Sequence, residues 1–148
     1  MCSETLPADC FGKGMEERAW CEWASKSKRA KARYADKVKP SSRARNHVSI
    51  SKDIFVKWYE EQEDCCAYCG LTFDQLKQLR IRRKGGYCVA WDIDRVDSSR
   101  PYEPGNLALA CFVCNMAKGD MLSAREALIV GQAVHEVWNA RLLLNRPG

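Results

Sequence analysis

No run of apolar residues in this chain approaches the ~18 that a membrane-spanning helix requires, so the sequence reads as soluble, with no membrane partner. The N-terminus also lacks the basic-then-apolar pattern of a secretory leader and carries Glu4, Asp9, Glu16 and Glu17 instead. A cytoplasmic, reducing setting is the expectation, and there the nine cysteines read as metal ligands and free thiols rather than disulfides. Histidine is scarce, with only His47 and His135 present. The 148 residues suit one domain, with or without a small N-terminal appendage, and an α+β unit of that size often needs a metal staple.

Acidic residues are sparse in the N-terminal third. From Arg18 to His47 ten Lys and Arg face only Glu22 and Asp36, and a second basic cluster runs through Arg80, Arg82, Arg83 and Lys84. A basic run by itself is more often a solvated helix face. Two such runs around a metal-site motif point to a polyanion, most simply nucleic acid.

The good helix formers from Glu16 to about Lys39 predict a helix with Trp20, Trp23 and Tyr34 as thin apolar anchors, ended by Pro40. The division that follows is a basic, helical N-terminal region over 1–42 and a second domain over 43–148. Arg43 to Ile50 reads as extended. Ser49 or Ser51 caps a helix to about Glu63 that buries Ile54, Phe55, Trp58 and Tyr59 on one face. Thr72 and Gln75 form a capping box for a short helix to Leu79. Alternation predicts strands over Tyr87–Ile93 and Leu107–Phe112, with a helix opening near Asn115. Ser123 and Glu126 cap a last helix to about Leu144, whose stripe is Leu128, Val130, Val134, Val137, Trp138 and Leu142. His135 on it reads as an ordinary surface or packed histidine.

Two Cys-x-x-Cys pairs, Cys66/Cys69 and Cys111/Cys114, give four thiolates for tetrahedral zinc. Residues 70–110 separate them, so the insert must itself carry structure. Cys65 is an adjacent spare thiol. Cys2, Cys10 and Cys21 lack that spacing and signal a second zinc only weakly. Between the pairs, Asp94 ends the first strand and Asn115 begins a helix. A carboxylate and an amide carbonyl are oxygen ligands that leave most of a hard cation's shell open to water and phosphate, as Mg²⁺ prefers. Lys118 lies one turn beyond Asn115, placed to offset phosphate charge.

Taken together, Cys-x-x-Cys, Asp94-Arg-x-Asp-Ser, Tyr102-x-Pro-x-Asn106-Leu and Cys111-x-x-Cys-Asn-x-x-Lys118 resemble the HNH, or ββα-metal, endonucleases, and among them restriction enzymes. The resemblance is most specific over residues 66–120. It implies a small α+β, zinc-braced ββα-metal core with flanking helices. The implied protein is a homodimeric, Mg²⁺-dependent nuclease of double-stranded DNA that leaves 5′ phosphates, with Mn²⁺ as a substitute ion. Two departures qualify it. The family places a histidine base directly after the strand-end Asp, where this chain has Arg95, a permanent cation that takes no proton. Arg95 is left to bind phosphate. His47 then reads as a metal ligand, or as the base, and Tyr102 as the residue that activates water with help from nearby cations. Packing against the Pro-rich loop is the plainer role for Tyr102, and loop orientation for Asn106. The N-terminus is the second departure, because Cys21 has no clear partners for the further zinc that similar chains hold. The alternatives are a nicking or homing-type HNH endonuclease and a non-catalytic zinc DNA-binding module.

Overall fold

The structure, a computed structural model, describes residues 15–39, 48–84, 86–87 and 90–145, with side chains of the first helix described from residue 24 onward. Cys2, Cys10, Pro40 and His47 lie outside the described residues, as do the side chains of Trp20, Cys21 and Trp23.

Helix α1 (Met15–Val38) packs on α2 (Lys52–Glu61). Ala30 is fully buried, and the lack of a larger side chain there lets the helices approach. The Tyr34 ring lies 5.5 Å from that of Phe55, and its hydroxyl donates to Ile50 O at 3.1 Å. The thin apolar stripe is completed by cations turned inward. Lys26 donates to Gln62 O, and Arg29 pairs with Asp64 at 2.7 Å while lying 4.0 Å over the Phe73 ring. Asp64 also accepts from Trp91 Nε1 at 2.6 Å, so one carboxylate at the end of the α2 region ties α1 to the central chain. Lys28 and Lys31 face outward.

Ser51 caps α2, accepting from Ile54 N at 3.4 Å, and the helix stops at Glu61 rather than Glu63. Its buried face is narrower than the four apolar residues suggested. Phe55 and Tyr59, one turn apart, are buried, whereas Ile54 is turned away and 53 % exposed. Helix α3 (Phe73–Leu79) begins with the Thr72–Gln75 capping box and ends on Arg80 at φ 47°.

The expected strand over Tyr87–Ile93 is two separate pieces. Strand β1 (Arg82–Arg83) pairs with β2 (Gly86–Tyr87) in a short hairpin, and β3 (Asp92–Arg95) pairs antiparallel with β4 (Leu107–Ala110). The alternation Tyr87, Val89, Trp91, Ile93 ran across this break because periodicity carries no information about partners. Tyr87 folds back on the basic turn, and Trp91 is buried against Asp64. Strand β4 ends at Ala110 because Cys111 caps helix α4 (Phe112–Lys118), its sulfur accepting from Cys114 N at 3.4 Å. Asn115 therefore lies inside α4 and does not open it.

Helix α5 (Ala124–Leu144) starts with the Ser123–Glu126 capping box. Its buried line is Ala127, Gly131 and Trp138, with Val134 and Leu142 partly covered. Leu128 and Val137, expected in the stripe, are 48 % and 49 % exposed. The helix turns its small residues toward the first cysteine knuckle. A Cβ on Gly131 would meet Tyr68 O at 2.2 Å, an approach open only to glycine.

Candidate functional site

Two centres are built on the β3–β4–α4 unit. The first is the cysteine cluster. In the 66–69 knuckle, Gly70 N donates to Cys66 O at 2.9 Å, and Cys66 N donates to Leu71 O at 2.8 Å. Gly70 closes this turn at φ 70°, where a Cβ is strained. Ala67 N donates to Leu109 O at 2.8 Å, which docks the knuckle on β4 beside Cys111. The sulfurs of Cys66, Cys69, Cys111 and Cys114 are all buried and lie within 4.8 Å of one another. Cys69 Sγ and Cys111 Sγ are 3.8 Å apart. A tetrahedron with Zn–S bonds of about 2.3 Å has edges of about 3.8 Å, so the dimensions suit zinc. Hydrogen bonds, the largest from Cys111, hold the Cys66 thiol well below the ordinary range, while the bond with Cys111 pushes Cys114 above it. Cys66 and Cys69 are held low while Cys111 and Cys114 are held high, so four thiolates together require a cation. Cys65 stays outside the cluster, near Glu63 Oε2 at 3.9 Å, with its thiol raised by burial.

His135 supports this centre from α5, which its sequence context did not suggest. Asn139 Nδ2 lies 2.8 Å from His135 Nε2 and Cys69 O lies 2.8 Å from His135 Nδ1. With the amide donating to Nε2, the ring carries its proton on Nδ1 and donates to the knuckle carbonyl.

The second centre is polar and assembled from distant residues. Asp94 and Asp92, two apart on β3, share one face, opposite Ala108 and Ala110. Asp94 is buried. It accepts from the hydroxyl of Tyr68, inside the first knuckle, and from Lys118 Nζ at 3.3 Å. Burial, then the bond to Asp94, pushes the Tyr68 phenol well above its usual range, so it remains a neutral donor. Lys118, placed by the sequence toward phosphate, is enclosed at 0 % exposure. Its ammonium also donates to Arg95 O at 2.8 Å and Ser98 Oγ at 3.0 Å. Its charge faces Asp94 and the loop after β3 rather than solvent.

Asn115 is half-buried and donates from Nδ2 to Asp92 Oδ2 at 3.2 Å, leaving Oδ1 as a free oxygen donor. Asp92 Oδ1 accepts from Arg83 of the hairpin at 3.2 Å. Arg95 donates to Asp120 at 3.2 Å and to Arg100 O at 3.4 Å, with its guanidinium 5.4 Å from the Tyr102 ring centre. Tyr102 is buried, and its hydroxyl accepts from Lys37 Nζ at 3.0 Å. Val48 pairs with Tyr102 in a parallel bridge, so the described chain resumes directly after His47 beside that ring. Asn106 is buried and staples the loop, accepting from Asp97 N at 2.8 Å and donating to Asp97 O at 3.1 Å and Pro101 O at 2.9 Å.

The structure thus brings Asp94, Asn115 and Lys118 to one wall, with Arg95, Tyr102 and Asn106 around the adjoining loop. Tyr68, Asp92, Arg83 and His135 are the members that motif reading missed. The Asp92/Asp94 pair was visible as two acids on one strand face. The partner of Tyr68 was not, since nothing in a Cys-x-Tyr-Cys turn says where the phenol goes.

No family profile and no curated protein sequence matches the chain. A solved structure does: the rare-cutting HNH restriction endonuclease PacI, whose published description concerns an extraordinary mechanism of DNA perturbation. The two are 28 % identical with a TM-score of 0.61, over 95 % of this chain and 94 % of that one. The fold is therefore the α+β HNH fold with a four-cysteine metal site, and the likeness supports an HNH nuclease. Among the described residues, no helix is long and apolar enough to cross a membrane.

Proposed function

We propose that this chain is a magnesium-dependent, zinc-stabilised endonuclease that hydrolyses phosphodiester bonds of double-stranded DNA, acting as a sequence-specific, homodimeric restriction enzyme. The observation that carries the reading is the meeting of Asp94 and Asn115 on one wall beside a tetrathiolate cluster, in a fold shared with an HNH restriction endonuclease. Asp94, Asn115 Oδ1 and His47 would hold Mg²⁺, or Mn²⁺ in its place. When bound, that ion supplies Lewis acidity at the scissile phosphate and charge stabilisation at the leaving 3′ oxygen.

The chain's own groups do the rest. Lys118 and Tyr68 fix the Asp94 carboxylate before substrate arrives. Arg95 steadies charge on the phosphate. Its present partner, Asp120, is 82 % exposed, and so exposed an ion pair is weak enough for phosphate to displace. Tyr102, beside Lys37, takes a proton from water as the water oxygen bonds to phosphorus and the P–O3′ bond breaks, and the departing 3′ oxygen takes a proton from solvent. The products are a 5′ phosphate and a 3′ hydroxyl. Residues 1–42 form the DNA-contacting region, with Lys28 and Lys31 on the outer face of α1, and Arg82 and Lys84 of the hairpin reach further phosphates. Residues 43–148 form the nuclease domain.

Plasmid and genomic DNA incubated with Mg²⁺, and separately with EDTA, test this. Discrete fragments appearing only with Mg²⁺ are expected. Nicked circles alone would favour a nicking or homing-type enzyme, and binding without cleavage a non-catalytic module. Tyr102→Phe is expected to lower the single-turnover rate about a hundredfold. A wild-type rate in that variant would move the base to His47.

A further inference from the structure

We propose that Asp92 is a positioning residue that sets the amide of Asn115 so that Oδ1, rather than Nδ2, faces the hard-metal centre. The inference rests on the reading of Asn115 as a metal-facing amide and assigns the cause of its orientation. A side-chain amide is nearly symmetric in shape and turns over readily unless a neighbour distinguishes oxygen from nitrogen. Asp92 makes that distinction, because an ionised carboxylate only accepts hydrogen bonds. Asp92 Oδ2 receives Asn115 Nδ2 at 3.2 Å. A flipped amide would set two acceptor oxygens against each other at that separation, and the bond would be lost.

Asp92 is itself held from the other side. Arg83 NH1 donates to Asp92 Oδ1 at 3.2 Å, and the Asp92 side chain is 12 % exposed. The Arg83 guanidinium lies 4.7 Å over the ring of Phe112, the first residue of α4, the helix that carries Asn115. The hairpin, the strand and the helix therefore meet at one carboxylate. That carboxylate belongs to no Cys-x-x-Cys pair and is separate from Asp94.

The test uses the full, zinc-loaded protein and reads Mn²⁺ affinity by water-proton relaxation without DNA. Asp92→Asn presents either amide or carbonyl to Asn115, and Asp92→Glu keeps the charge but displaces the acceptor. Both are expected to bind Mn²⁺ about tenfold more weakly, as loss of a group that orients a metal ligand does. Zinc content and melting temperature should stay near wild type in both. In NMR spectra of the zinc-loaded protein without Mn²⁺ or Mg²⁺, the side-chain amide protons of Asn115 should exchange slowly in wild type and faster in Asp92→Asn. Wild-type Mn²⁺ affinity in Asp92→Glu would show that Asp92 acts by charge alone and overturn the proposal. Unchanged amide exchange in Asp92→Asn would overturn it as well. Absence of any Mn²⁺ binding by the wild-type protein would instead overturn the reading of the centre.

Discussion

The two centres of this protein differ in how they are built. The cysteine cluster takes its four ligands from two tight turns, each fixing a pair of sulfurs by local backbone geometry, and every sulfur is buried. The polar centre takes its groups from a strand, a helix, a knuckle and a hairpin, and they are aimed by hydrogen bonds between residues 9 to 26 positions apart in sequence. A soft, closed site is complete once its ligands are in place. The polar centre, proposed above for a hard cation, holds its acceptor groups in place through partners that are not themselves the proposed ligands. The first stabilises the fold, and the second depends on the first through Tyr68.

That dependence should run one way only, and the largest expected effect tests it. Cys114→Ser should abolish both centres, since structural zinc contributes on the order of 10 kcal/mol to folding, comparable to the whole stability of a small domain. Zinc content and circular dichroism check this, and a folded, active variant would break the comparison. Asp94→Asn should abolish cleavage while zinc content holds. It should also destabilise the fold by about 3 kcal/mol, because Lys118 is left buried without a counter-charge. Adding Lys118→Met should recover stability and not cleavage, which separates the two roles of the pair. Loss of zinc from Asp94→Asn would mean that the centres are not distinct.

A smaller effect sharpens the structural side. Gly131→Ala drives a methyl group against the Tyr68 carbonyl and should cost about 1–3 kcal/mol in denaturant unfolding. The smallest lies far from both centres. Burial raises the Tyr59 phenol above its ordinary value near 10. The folded state favours its neutral form, so its share of stability is present below the unfolded value and is lost as pH rises through the folded one. Tyr59→Phe should therefore melt near wild type at neutral pH and fall less steeply above about pH 10.

The same contrast explains what could be read in the sequence. The caps at Ser51, Thr72 and Ser123, the course of α1 and each of the two Cys-x-x-Cys pairs are local patterns, readable within one continuous stretch of chain. Strand β3 was misplaced because alternation continued through Trp91, whose burial is set by Asp64. The stripe on α5 was misread because its contact line is marked by Ala127 and Gly131, small residues with no hydropathy signal. At the polar centre, Asp94 and Asn115 were legible as chemistry. Asp92, Tyr68 and Arg83 were not, because their functions exist only as pairs. The cations of α1 divide in the same way, since nothing in a basic run marks Arg29 and Lys37 as inward and Lys31 as outward.

The glycine contact between α5 and the first knuckle has a consequence in time as well as in energy. With Gly131 against the Tyr68 carbonyl and His135 bonded to Cys69 O, the last helix is latched over the peptide that carries two of the four sulfurs. Substitutions on α5 that touch no cysteine, such as Gly131→Ala, are therefore expected to speed the loss of metal to a chelator, as a competition time course would read.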